Sequence, residues 1–345
     1  MKTVAKFWKP VNGKVKCYLC PVNCELKEGQ IGSCGVRRNE EGRLFTYTFG
    51  SLSSAAIDPI EKKPLFHFYP GHSTFTIATP GCNLHCLGCQ NWELSQVPKG
   101  EILEDTFYTE TSVPPELVVR KALASGCRSI SYSYSDPTIF VEYVIEVAKL
   151  AREKGLKNVV VTAGYINPEP LEEMDRFIDA YSVDLKFFSD EAYRKYSKGR
   201  LAPVLETIKY LFGKGKWIEL TTLLVPRYLD EKQLRGIAEW IGRELADWVP
   251  WHLSRFFPYY RATDLPSTPP EELERAYRIG REAGLKFVYV GNLPGNRHES
   301  TFCPSCGAEV ITRRVYRVVR TALEDGRCSA CGFPIAGVFE GKGSP

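Results

Sequence analysis

Three cysteines in the run Thr79-Pro80-Gly81-Cys82-Asn83-Leu84-His85-Cys86-Leu87-Gly88-Cys89-Gln90-Asn91-Trp92 stand in a C-x3-C-x2-C array. Three thiolates are one short of closing a tetrahedral metal site. They suit a [4Fe–4S] cluster in which the protein holds three irons and leaves one open to a small ligand. The competing reading is a structural zinc site completed by His85, because three cysteines and a histidine are a common zinc set. The array follows an apolar, strand-like run from Phe75 to Ala78, and that context favours the cluster.

Eleven of the twelve cysteines fall in three groups, and only Cys127 stands alone. Near the N-terminus, Cys17, Cys20, Cys24 and Cys34 offer four thiolates, with Gly29, Gly32 and Gly35 among or just after them. Four ligands with no open position favour structural zinc, and a second iron–sulfur cluster is the rival. Near the C-terminus, Cys303-x2-Cys306 and Cys328-x2-Cys331 match a zinc ribbon, with rubredoxin-like iron as the alternative. Arg313 to Val319, between these two knuckles, alternates and is expected to be one strand. Cys127 is expected to pack as a small buried hydrophobe. Clustered cysteines of this spacing point to metal in a reducing compartment rather than to disulfides.

Composition agrees with that compartment. The chain of 345 residues is 43% hydrophobic and 25% charged, ordinary for a globular protein. No apolar run approaches the length of a membrane span. Lys2, Lys6 and Lys9 precede no apolar core, so a signal peptide is not expected. Cytoplasm is the expected location, with no membrane association. The net charge of +4 is uneven: residues 1–50 carry +5, residues 303–345 carry +2, and the middle is acidic. Solvated surface explains the basic ends plainly, and contact with an acidic partner such as RNA explains them more sharply.

The elements that must position these groups follow a repeat. Strand-like runs begin near Phe75, Ser129, Asn158, Tyr181, Trp217, Trp251 and Phe287, with helical stretches such as 115–125 and 139–154 between them. Gly126 and Gly155 stand where helix C-caps belong, and Asp230 can cap a helix running toward Leu245. Alternating strands and helices imply an α/β fold with a parallel sheet, read here as a partial (β/α) barrel of six or seven units. The expected domains are a Cys-rich module and connector at 1–72, the barrel at 73–300, and the zinc ribbon at 301–345. The connector, 51–72, lacks clear periodicity, and the tail 341–345 looks unstructured.

Active residues of such a fold lie at the C-terminal ends of its strands. S-adenosylmethionine (SAM) is a ligand that can chelate an open iron through its amino and carboxylate groups. Polar groups suited to it recur at the expected strand ends. Ser133 and Asp136 follow the second strand, Thr162 ends the third, Asp184 and Lys186 follow the fourth, and His252 is on the sixth. Asp184 and Lys186 share one strand face. Each also has a plain structural role: Asp136 as a helix cap, Asp184 and Lys186 as an internal ion pair, His252 as a core histidine. Tyr132 and Tyr134 can be packing aromatics, and His67 and His72 are expected to pack or lie at the surface.

Together these motifs resemble the radical SAM enzyme of the AmmeMemoRadiSam system, a relative of pyruvate formate-lyase activating enzyme. The resemblance rests on Cys17-Tyr18-Leu19-Cys20, the 58–68 connector, the 81–92 loop, Asp184-Leu185-Lys186, Arg255-Phe256-Phe257-Pro258, Gly291-Asn292-Leu293-Pro294-Gly295 and the ribbon. It implies reductive cleavage of SAM and hydrogen abstraction from a substrate, with a glycyl site on a partner protein as one candidate. It also implies Asp184, Lys186 and His252 as SAM contacts. Memo-type and AMMECR-type proteins are the implied partners, and a ferredoxin or flavodoxin the electron donor. Two positions depart from the relatives. Gly88 stands where an aromatic residue usually packs on adenine, and Val161 stands where an acid precedes a turn. Two other functions remain open at this level: RNA modification by the same chemistry, and a zinc-bearing scaffold that performs none.

Overall fold

Apolar strands alternating with amphipathic helices bury both faces of a sheet. In the computed structural model, which describes residues 2–96 and 112–340, they build one sheet of eight strands. These are β1 (Ser54–Pro59), β2 (Ser73–Ala78), β3 (Ser129–Tyr132), β4 (Lys157–Thr162), β5 (Ala180–Asp184), β6 (Trp217–Leu224), β7 (Trp251–Arg255) and β8 (Val288–Gly291). They lie side by side in chain order, and every neighbouring pair from β2 onward is parallel. Parallel neighbours need a crossover each. Six helices supply them: α1 (Pro115–Ala124), α2 (Val141–Glu153), α3 (Pro168–Asp175), α4 (Leu201–Gly213), α5 (Glu231–Glu244) and α6 (Pro270–Glu282). The order is linear, and among the described residues no ladder joins β1 to β8.

The local signals work as the chain suggests. Strands covered on both faces read as continuous apolar runs, and every residue of β3 is buried. Gly126 takes φ +68° just past α1, and its N–H donates to Leu123 O at 3.0 Å. The Asp230 carboxylate accepts from the N–H of Gln233 at 2.9 Å and starts α5. The seven expected strand starts fall within two residues of β2 to β8.

Two expectations need correction. The stretch 51–72 is not unpatterned: β1 pairs antiparallel with β2, from Ser54 opposite Ala78 to Pro59 opposite Ser73. Its small Ser-Ala-Ala start and exposed Ile57 carry no apolar stripe, because an edge strand needs none on its open face. The stretch 313–319 is not one strand. It spans a hairpin of β9 (Glu309–Arg314) and β10 (Arg317–Thr321), turning at Val315 with φ +58°. A β-branched residue rarely takes that conformation, so the sequence holds no turn signal there. The tail, 341–345, lies outside the described residues.

Both cysteine-rich ends are bound into the main body. In the N-terminal part, Val15, Leu26 and Leu44 join the same apolar core as Tyr143 and Val144 of α2. Arg37 Nη2 donates to both carboxylate oxygens of Glu142, at 2.6 and 2.7 Å, and its Nη1 donates to Lys6 O. At the other end, Cys303, Val310 and Cys328 pack with Phe66 and Tyr289. Arg313 is buried there, its guanidinium 4.2 Å from the Phe66 ring centre and donating to Phe66 O at 2.6 Å. No helix among the described residues is long and apolar enough to cross a membrane.

Candidate active site

The loop leaving β2 carries Cys82, Cys86 and Cys89, and all three line a cavity of ≈ 430 Å³. The loop is held from several sides. Gly81 approaches the N-terminal part so closely that a Cβ there would lie 2.7 Å from Cys34 O. Asn83 Nδ2 donates to Tyr165 O at 2.6 Å, and the N–H of His85 donates to Ser197 O at 2.9 Å. Leu84 N–H points at Cys82 Sγ from 3.5 Å, and Ser95 Oγ lies 3.1 Å from Cys89 Sγ.

His85 does not join the three cysteines. Its Nε2 meets Ser33 Oγ at 3.0 Å and its Nδ1 meets Gln96 Oε1 at 3.3 Å, so both ring nitrogens are engaged. His85 is absent from the cavity wall. Among the described residues, the set whose ligand atoms all lie within 4.8 Å of one another is the C-terminal one, not Cys82, Cys86 and Cys89. The structure therefore does not bring His85 to the three cysteines as a fourth ligand. Burial pushes the Cys82 thiol well above its ordinary value, and the Asp136 charge adds to that. Burial also raises Cys86, against the pull of the Lys186 ammonium. Buried thiolates of this kind need positive charge beside them.

The six residues expected from the sequence to contact SAM line the same cavity: Ser133, Asp136, Thr162, Asp184, Lys186 and His252. Ser133, Asp136, Thr162, Asp184 and Lys186 lie at or just past the C-terminal ends of β3, β4 and β5, whereas His252 is the second residue of β7, paired with Thr221 of β6. Lys186 Nζ donates to Asp184 Oδ2 at 2.7 Å. Burial works against the lysine charge, yet Asp184 and Cys86 hold its pKa above the ordinary value. Asp136 is occupied by the protein: it accepts from Thr138 N–H at 3.0 Å, from Ala163 N–H at 2.8 Å, and from the Thr162 hydroxyl. It caps the turn Pro137–Phe140 and fixes the end of β4. His252 donates from Nε2 to Glu219 Oε2 at 2.7 Å and stacks on Tyr289, ring centres 5.1 Å apart.

Three features in or behind the cavity wall escaped the sequence reading. Glu219, fully buried on β6, also accepts from Phe66 N–H, His67 N–H and the Trp217 indole. A lone acid inside the apolar run Trp217-Ile218-Glu219-Leu220 was the available signal. Lys63, 1% exposed, donates to Asp58 at 2.9 Å and lies 4.2 Å from the Tyr134 ring centre. Burial brings its pKa down to about 8, against the pull of Asp58. Hydrogen bonds from Lys62, Tyr134 and Lys63 hold Asp58 well below the carboxylate range, although burial opposes them. Finally, Tyr316 of the C-terminal hairpin reaches the cavity wall and donates to Asn292 Oδ1 at 3.3 Å. No local pattern announces Glu219's partners or Tyr316's reach, because both contacts cross long stretches of chain.

Gly88 explains its own departure. A Cβ there would lie 2.4 Å from Tyr196 Oη and 2.8 Å from Phe256 Cε2. Tyr196 and Phe187, both cavity-lining, thus occupy the space beside the loop.

The ribbon cysteines and the N-terminal cysteines lie outside this cavity. The sulfurs of Cys303, Cys306, Cys328 and Cys331 all lie within 4.8 Å of one another. Two of the pairs are 3.6 and 3.8 Å apart.

Residues 76–241 match the model of the Radical SAM superfamily. The chain is 43% identical over 338 residues to uncharacterized protein MJ0808 of Methanocaldococcus jannaschii, covering 97% of this chain and 99% of that protein. It is 27% identical to the putative glycyl-radical enzyme activating enzyme MJ1227 of the same organism, over 50% of this chain and 69% of that one. It is 21% identical to the pyruvate formate-lyase-activating enzyme of Clostridium pasteurianum, over 59% of this chain and 87% of that one.

Proposed function

The chain belongs to the radical SAM superfamily, and from that premise we propose that it holds a [4Fe–4S] cluster on Cys82, Cys86 and Cys89 and cleaves SAM in the cavity they border. One observation carries this reading. Three cysteines of one loop line the cavity, while His85, which stands among them in sequence, is engaged by Ser33 and Gln96. Three thiolates leave one iron for an exogenous ligand. When bound, the cluster and SAM supply one-electron cleavage of the sulfonium C–S bond, giving methionine and a 5′-deoxyadenosyl radical that takes hydrogen from a substrate.

The chain's own groups bind and orient. Lys186 pairs with the methionyl carboxylate and Asp184 takes the ribose hydroxyls. Ser133 and the backbone carbonyls of the 133–135 turn receive the ammonium. Asp136 acts through Thr162 and Ala163, whose positions it fixes. Glu219 keeps a proton on His252 Nε2, so Nδ1 is the atom His252 offers. Tyr196 and Phe187 wall the adenine in place of the aromatic residue that Gly88 lacks.

Relatives named for glycyl-radical activation support a peptide glycine as substrate: its Cα–H bond breaks and the hydrogen ends on 5′-deoxyadenosine. Memo-type and AMMECR-type proteins are the proposed partners, and a ferredoxin or flavodoxin the donor. In the ribbon, sulfur separations of 3.6 and 3.8 Å support one zinc ion, whose ~2.3 Å bonds imply a tetrahedral edge of about 3.8 Å. RNA as substrate is favoured by one observation, the exposed Arg314, Arg317 and Arg320 beside cavity-lining Tyr316. Binding to tRNA that weakens steeply with salt is its signature.

The test is anaerobic turnover. Brown protein given dithionite and SAM is expected to form 5′-deoxyadenosine, and Cys86→Ala to form none. Iron-free protein, or equal product from the variant, overturns the reading.

A further inference from the structure

Two of the three cysteine groups differ in how closely their sulfurs gather. The ribbon sulfurs meet the spacing of ligands on one ion, and they alone do so among the described residues. Cys82, Cys86 and Cys89 stand wider, as ligands of separate irons in one cluster must. Cys17, Cys20, Cys24 and Cys34 behave like the second kind.

These four cysteines belong to one fold of the backbone. The Cβ position of Gly32 lies 3.8 Å from Cys24 Sγ and 3.9 Å from Cys34 Sγ. Cys17 N–H donates to Cys24 O at 2.9 Å, and Asn23 N–H closes a turn onto Cys20 O at 3.0 Å. Ser33 N–H points at Cys24 Sγ from 3.4 Å, just as Leu84 N–H points at Cys82 Sγ from 3.5 Å. Backbone donors to sulfur stabilise metal-bound thiolates of either kind, zinc or iron–sulfur, and mark this set as a ligand set. Yet no three of the four sulfurs gather within the 4.8 Å that the ribbon achieves. A single zinc ion with sulfur ligands about 3.8 Å apart does not fit so open a set.

We propose that Cys17, Cys20, Cys24 and Cys34 hold a second, fully ligated iron–sulfur cluster. Its place gives it a task. Ser33 of this fold meets His85, which stands between Cys82 and Cys86, at 3.0 Å. Cys34 O packs against Gly81. The second cluster accepts one electron from an external low-potential donor of the ferredoxin or flavodoxin class and gives that electron to the cluster on the β2 loop. This task rests on the radical SAM reading; the presence of the second cluster does not.

Metal analysis of the full chain, purified anaerobically, decides. The wild type is expected to hold about eight iron and one zinc per chain. The triple variant Cys82→Ala, Cys86→Ala, Cys89→Ala is expected to keep half the iron, with an electron paramagnetic resonance (EPR) signal that ignores SAM. An iron-free triple variant overturns the proposal, whether zinc stays at one or rises to two. If that variant fails to fold by circular dichroism, Cys20→Ser with Cys24→Ser decides: iron halved supports the proposal, iron unchanged overturns it. Should both variants unfold, wild-type iron near four overturns it and near eight supports it. SAM cleavage by the wild type is scored separately, so a second cluster without cleavage is distinguishable from cleavage without a second cluster.

Discussion

Individual side chains decide whether this cavity takes SAM. Lys186 is the cation whose charge acts on Cys86, and it is already paired with Asp184 at 2.7 Å. Charged hydrogen bonds contribute roughly 1.5–3 kcal/mol. Lys186→Met is therefore expected to weaken SAM about 10- to 100-fold by equilibrium dialysis while leaving iron content unchanged. Unaltered affinity makes the pair purely structural. Gly88 is the opposite case, a position where less is needed. Gly88→Phe, which restores the relatives' aromatic, drives a side chain into Tyr196 and Phe256, and loss of SAM cleavage with retained cluster is the expected result.

His67 gives a pH prediction at the same scale. It lies fully buried, with Nδ1–H donating to Ala336 O at 2.6 Å and Nε2 accepting from the Tyr289 hydroxyl. Burial lowers its pKa to about 4. The unfolded chain then binds the proton first as pH falls through 6.5. Stability contributed by the neutral ring is complete above pH ~6.5 and lost progressively down to about 4, by roughly 3 kcal/mol. His67→Asn should flatten that part of the urea-unfolding profile relative to wild type. An unchanged slope between the two proteins contradicts the assignment.

Whole elements carry the next set of dependencies. The strand holding Arg37 and helix α2 meet through a bidentate pair sealed from water, with Arg37 1% and Glu142 6% exposed. Removing one partner strands a buried charge, so Arg37→Met alone or Glu142→Leu alone is expected to cost about 3–5 kcal/mol. The double variant should cost clearly less than the two singles combined. Additive losses would mean that the pair is not coupled. The same scale shows why the chain was legible only in part. Strands β2 to β8 announce themselves because burial on both faces demands unbroken apolar runs. Strand β1 has one open edge and no such demand, so its Ser-Ala-Ala start is silent. The β9–β10 hairpin turns on Val315, a residue type that signals strand rather than turn. Cysteine spacing is local and survives in sequence, whereas the Glu219 bond to His252 and the Arg313 contact with Phe66 join distant segments and do not.

On the scale of the whole molecule, both cysteine-rich ends touch the elements that build one cavity, although their cysteines lie outside it. The N-terminal fold leans on the cluster loop through Ser33 and Gly81, and the ribbon lends Tyr316 to the far wall. The sequence reading of separate end modules singled out their cysteines but not this convergence, since neither contact has a local signature. The arrangement also sets the central claim, that the β2-loop cluster keeps one iron free for SAM. The most direct measurement is the EPR spectrum of the dithionite-reduced protein before and after SAM is added. Occupation of the free iron predicts a shifted signal that disappears in the Cys86→Ala variant. A spectrum indifferent to SAM in the wild type would contradict the account.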